Sequence, residues 1–245
     1  MIAVALLVVA LIALAWSVNA DLDEFRRFQA MEYTHKRQQM YLWWVFKYFL
    51  LFVGMGVGGL ALLGQLGSLW TLPEEFSPAS GVLPAMEGGI TWIVAAAVIG
   101  AILAGGVIGG VIAARQMPQP GIPRGVDSLL PRNGGESWRT MLLSINAGVG
   151  EEIFFRLYLP LLLIAVGLSA VPAFAVAILL FALSHAYQGA VGIAVTAVIG
   201  ILLALAYLAS GSLWLVIGIH IALDLNALVL RPSLARLIQQ RGSKT

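Results

Sequence analysis

An all-α, polytopic membrane helix bundle is the fold class this sequence predicts, and three observations predict it. Hydrophobic residues fill 60% of the 245 positions and charged residues only 11%, whereas a soluble domain carries about 25% charge. The apolar residues fall into runs close to the roughly 20 needed to cross a bilayer. Twelve of the fourteen basic residues fall in the tail or in the segments between alternate runs, as expected of the cytoplasmic parts of membrane proteins. The chain has no cysteine, which excludes disulfides, thiolate chemistry and Cys-ligated metals. Its 27 glycines suit helices that approach closely in lipid.

The first run, 2–20, is uncharged and is followed by an acidic and basic stretch from Asp21. Val18-Asn19-Ala20 resembles a small-residue cleavage site, but no Lys or Arg precedes the run, so an uncleaved helix is expected. The second span is expected at 42–63, with Lys47 snorkelling to one end. The third is expected at 88–114. From Leu157 to Leu230 the one charged residue is Asp224. Breaks at Ser169 to Pro172, Gln188-Gly189 and Ser210 to Ser212 divide this stretch, giving spans near 140–168, 170–187, 190–209 and 212–230. The total is about seven, with room for an eighth element as a re-entrant half-helix near 140–150.

Charge distribution orients these spans. Arg26, Arg27, Lys36 and Arg37 lie between the first and second; Arg115, Arg124, Arg132 and Arg139 between the third and fourth; Arg231, Arg236, Arg241 and Lys244 in the tail. The 65–89 loop has Glu74, Glu75 and Glu87 but no Lys or Arg. Twelve of the fourteen basic residues therefore fall on one side, which places the N-terminus outside and the C-terminus in the cytoplasm. The chain divides into an N-terminal membrane region of three spans (1–139), a second helix bundle (140–230) and a basic cytoplasmic tail (231–245).

Three places break the apolar rule: Glu151-Glu152-x-x-x-Arg156, Phe181-x-x-x-His185 and His220-x-x-x-Asp224. A charge at the bilayer centre costs about 2.5–3.5 kcal/mol even on insertion scales, so such groups survive when paired or when they line a wet cavity. Residues four apart share a helix face. Glu152 and Arg156 can therefore neutralise each other, while Glu151 points about 100° away without that partner. His220 and Asp224 are spaced the same way. Pro160 removes a donor to the carbonyl of Arg156 and bends the helix. Glu151 lies 12 residues past Arg139, about 18 Å along a helix, and His220 lies 11 before Arg231, about 16 Å. Both depths are measured from the same side, and His185 sits near the cytoplasmic end of its run. One cavity opening to the cytoplasm can hold all of them.

Each group alone has a plain structural use. Glu152 with Arg156 can simply join helices, His185 can be an interfacial histidine, and His220 with Asp224 can be a packing hydrogen bond. Their joint occurrence favours a functional site. His35, in a charged segment, is expected to be solvated.

Read together and in order, the three motifs resemble the CPBP family of CAAX proteases and bacteriocin-processing proteins, including the type II CAAX prenyl endopeptidases. The resemblance spans about 141–230. It implies a catalytic helix bundle over 140–230 that hydrolyses peptide bonds of membrane-associated proteins. Glu151 and His185 would activate the attacking water, and His220 with Asp224 would stabilise the oxyanion, with Glu152 and Arg156 completing the site. A bacterial cytoplasmic membrane is the expected location. Two positions depart from the family pattern: Leu157 stands where glycine often follows the arginine, and Asp224 where the prenyl-protein proteases use asparagine. An ionised Asp224 cannot donate a hydrogen bond.

No cofactor is expected, but zinc stays open, because Glu151, His185, His220 and Asp224 are all zinc-ligand types. The His-Glu-x-x-His spacing of many metalloproteases is missing. A proton-coupled transporter and a non-catalytic immunity or scaffold protein are the alternatives; no inverted repeat supports the former. The expected partners are a protein or peptide substrate and the bilayer, with no nucleic acid.

Overall fold

In the computed structural model, residues 1–81, 89–116 and 125–242 are described. Glu87, Arg124 and Lys244, all used above to orient the chain, lie outside them. Helix α1 spans Ile2–Gln29. Helix α2 (Thr34–Tyr48) runs through a π-helical turn, Phe49–Gly54, into α3 (Met55–Leu62). After the single turn α4 (Ser77–Ser80) comes α5 (Gly89–Gln116). Helix α6 (Gly134–Glu152) continues through a second π-helical segment, Ile153–Tyr158, into α7 (Leu159–Ala165). Helices α8 (Ala170–Leu183), α9 (Gly189–Ser210) and α10 (Leu213–Leu225) follow. A third π-helical segment, Asn226–Leu230, leads into α11 (Arg231–Gly242).

Among the described residues, four helical stretches are long and apolar enough to cross a membrane: Ile2–Gln29, Thr34–Leu62, Ala186–Ser210 and Leu213–Ile238. The chain is a helical bundle of an integral membrane protein. Helix α8, at 14 residues, is shorter than the roughly 20 of a full span.

Several boundaries differ from the sequence expectation, and the cause is ion pairing. Helix α1 continues past Ala20 to Gln29, and α2 starts at Thr34 rather than at 42. Charged residues end an apolar run by composition, yet a helix carries them onward where partners wait. Lys47 does not snorkel. It is buried, with its Nζ 2.6 Å from Asp21 Oδ1 and 2.5 Å from Glu24 Oε2 of α1. Trp43 and Trp44 also donate to Glu24, and Tyr48 and Ser17 to Asp21. Arg37 is fully buried against Glu136 at 3.2 Å. His35 is exposed, as expected.

The basic residues of three separate segments gather at one end of the bundle. Arg37 donates to the carbonyls of Ser128 and Leu130, and Arg132 to those of Met31 and Glu32. Arg236 of α11 reaches the carbonyl of Pro131 and the hydroxyl of Ser137. Helix α6 begins here, its first turn capped by the Asn133 side chain accepting from Glu136 N at 3.0 Å. It starts six residues ahead of 140, so the boundary at 139/140 falls inside one helix.

The α6–α7 helix is the axis of the fold: every residue from Gly150 to Leu163 is buried. In lipid, helices associate through packing and hydrogen bonds rather than through apolar transfer, so small residues matter most where backbones meet. Gly148 lies against Ile221 of α10, where a Cβ would come 3.0 Å from the Ile221 nitrogen. A Cβ on Gly150 would come 2.9 Å from Phe52 Cβ. These two glycines seat the helix end that carries the adjacent glutamates.

Candidate active site

Both site-bearing helices widen into π-helical turns just ahead of a proline. Pro160 follows Ile153–Tyr158, and Pro232 follows Asn226–Leu230. A proline ring meets the carbonyl four residues back, here that of Arg156 or Leu228. Both carbonyls lie within the widened turns, which open the ladder at that point. The bend expected at Pro160 is thus a π-helical segment, a feature frequent at functional sites.

Helices α6 and α10 pack side by side and bring together residues 68 apart. His220 Nδ1 lies 2.6 Å from Glu152 Oε1. The other Glu152 oxygen is 3.1 Å from Arg156 Nε. Glu152 therefore links Arg156 to His220, with all three less than 7% exposed. The Glu152–Arg156 pair is the i,i+4 contact expected from the spacing; the bond to His220 had no local signal.

The second nitrogen of His220 faces two carboxylates. Nε2 stands 3.9 Å from Glu151 Oε2 and 3.9 Å from Asp224 Oδ1. Both distances exceed hydrogen-bond range, so Nε2 is committed to neither. Glu151 is buried, while the Asp224 side chain is 30% exposed, which makes it the wetter side of the cluster.

His185 stands at the end of α8, bonded within its own helix. Its Nδ1 is 3.0 Å from the Phe181 carbonyl and 3.2 Å from Ser184 Oγ. A carbonyl only accepts, so Nδ1 carries a proton, and in a neutral ring Nε2 then keeps its lone pair. His185 lies within electrostatic reach of Asp224, His220 and Arg156. The structure thus draws Glu151, Glu152, Arg156, His220 and Asp224 into one cluster, with His185 beside it rather than bonded into it.

Phe181 is the contact that sequence reading quoted without a role. Its ring lies under the Arg156 guanidinium, 4.1 Å from centroid to Cζ, a cation–π contact. It also meets both imidazoles in T-shaped arrangements, with centroids 5.1 Å from His185 and 6.2 Å from His220. One buried ring therefore spaces the two histidines. The only hint of this in the sequence was the i,i+4 placement of Phe181 and His185 on one helix face. Among the described residues, no group of three or more His, Asp or Glu side chains is placed to hold a metal ion.

No curated protein and no solved structure matches the chain significantly. One family model does, described as type II CAAX prenyl endopeptidase Rce1-like, over residues 133–226. Those residues hold every motif position of the cluster, and the match agrees with the CPBP resemblance.

Proposed function

We propose that this chain is an intramembrane endopeptidase that cleaves membrane-associated proteins with a water activated by Glu151 and His185. The observation that carries the reading is the grip of Glu152 on His220 at 2.6 Å, with the Glu151 carboxylate beside the other ring nitrogen. Glu151 takes a proton from water, and the free Nε2 of His185 accepts its second hydrogen as a hydrogen bond and orients it. The hydroxide adds to the scissile carbonyl, and the new oxyanion receives a hydrogen bond from His220 Nε2–H. Glu152 holds that imidazole in its doubly protonated form, and Arg156 fixes Glu152 in turn. The tetrahedral intermediate collapses as the C–N bond breaks, and Glu151 returns its proton to the leaving amine. Donors already aimed at a developing charge in a dry site are worth far more than in water. Asp224 orients His220 from the wetter side.

The gathering of Arg37, Arg132 and Arg236 at one end supports a cytoplasmic assignment for that end, with the N-terminus outside and the site entered from the cytoplasm. The family pattern and the burial of the cluster support a protein or peptide substrate delivered within the bilayer.

Mass spectrometry of membrane peptides from cells with the wild-type chain or Glu151→Gln tests the reading. Products are expected only with the wild type, and cleavage by the purified variant should fall roughly 10²–10⁴-fold. Equal products from a well-folded Glu151→Gln protein would remove Glu151 as the base.

A further inference from the structure

Helix α1 lies outside the 133–226 segment that the family model matches, yet through Phe25 it packs on the turn that follows His185. Tyr187 sits on the short turn Ala186–Gln188, which Gly189 ends with φ 79°. One face of the Tyr187 ring lies nearly parallel to His185, with centroids 6.1 Å apart at 29°. Phe25 of α1, itself buried, packs on Tyr187 at 5.2 Å. Gln188 Nε2 donates to the Tyr187 hydroxyl at 3.0 Å. Tyr187 is also within electrostatic reach of Glu151, Asp21 and Asp224, so the stack borders the reacting cluster.

The buried charges of α1 and α2 acquire a use in this arrangement. Asp21 lies one helical turn before Phe25, on the same face. Lys47 and Tyr48 hold Asp21 through Oδ1 at 2.6 and 2.7 Å, which sets the rotation of α1 and with it the direction of Phe25. A three-residue turn offers His185 and Tyr187 little support of its own. The His185 ring instead rests against two aromatic neighbours, Phe181 of α8 and Tyr187.

We propose that Tyr187, backed by Phe25, is a positioning residue that fixes the ring orientation of His185, making α1 part of the catalytic unit. This rests on the reading of His185 as the water-orienting base. A near-attack geometry lost by about 1 Å costs up to 10²-fold in rate, so the ring clamp is an effective lever on turnover.

The chain has three histidines, so histidine-selective ¹⁵N labelling of the full-length protein in micelles yields three resolvable rings. Tyr187→Ala should move the ring nitrogen signals of His185 and lower kcat roughly ten-fold or more, with KM little changed. Phe25→Ala should act in the same direction and less. Tyr187→Phe keeps the ring and should keep both the signals and kcat. Unmoved His185 signals in folded Tyr187→Ala protein would overturn the clamp, whether or not the chain cleaves peptides. Moved signals with unchanged kcat would overturn its catalytic role, and a Tyr187→Phe protein as slow as Tyr187→Ala would transfer the role to the hydroxyl. A wild type without peptidase activity strikes the protease reading alone, and the ring signals still decide the clamp.

Discussion

Two of the buried charge clusters in this bundle are differently completed. Between α1 and α2, all four carboxylate oxygens of Asp21 and Glu24 accept hydrogen bonds, from Ser17, Lys47, Tyr48, Trp43 and Trp44. Around α6 and α10, Glu151 Oε2, Glu152 Oε2 and all three guanidinium nitrogens of Arg156 are buried with no hydrogen-bond partner among the described residues. The Glu152–Arg156 ion pair is close at 3.1 Å but not aligned as a hydrogen bond. A buried polar group left unsatisfied costs free energy that a fold recovers only elsewhere. A fully satisfied network rigidifies and specifies packing. The first cluster reads as structure and the second is the one proposed for chemistry, although both break the same rule against charge in lipid.

The largest effect should come from Glu152, where the two behaviours meet. Glu152→Gln strands Arg156 and loosens His220, so it should destabilise the protein by about 3–5 kcal/mol and also abolish cleavage. Thermal unfolding in detergent and a peptidase assay measure the two losses, and Arg156→Gln should reproduce them. A stable, active Glu152→Gln protein would place the pair among dispensable contacts.

Lys47→Met attacks the completed cluster. Leaving Asp21 and Glu24 unpaired should again cost about 3–5 kcal/mol, but cleavage per folded molecule should fall less than in Glu151→Gln. Loss of all turnover in folded Lys47→Met protein would erase the distinction between the clusters.

A smaller effect is expected from Asp224→Asn, which keeps shape, gains two donors and loses a charge. Activity should be preserved or improved, because His220 keeps its grip through Glu152. The wild type should also work after exhaustive chelation. Inactivation by chelator, restored by stoichiometric zinc, together with a weakened Asp224→Asn enzyme, would assign the carboxylate to a metal instead.

The orientation experiment perturbs least. With no native cysteine, single cysteines replacing Lys36 and Lys244 should resist an impermeant external reagent, while one replacing the exposed Glu75 should react. The reverse pattern would invert the cytoplasmic assignment of the end where Arg37 and Arg132 meet.

Much of this molecule was legible without coordinates. Composition and the length of the apolar runs determined a helical membrane bundle, because so few charges cannot cover a watery surface and the runs are about one bilayer span long. Spacing alone determined the Glu152–Arg156 pair, because residues four apart meet on any α-helix. The three ordered motifs marked the cluster that the family match over 133–226 contains.

Tertiary structure decided the rest. That Glu152 holds His220 depends on α6 and α10 lying together, with Gly148 admitting Ile221. Pairing across 68 residues leaves no periodic trace in one sequence. That Lys47 is buried rather than snorkelling depends on Asp21 and Glu24 arriving from another helix, and the true ends of α1 and α2 follow from those pairings. Phe25 looked like any aromatic residue in a charged stretch until packing set it against Tyr187. Local spacing determines which residues can share a face, and only the packing of helices decides what that face meets.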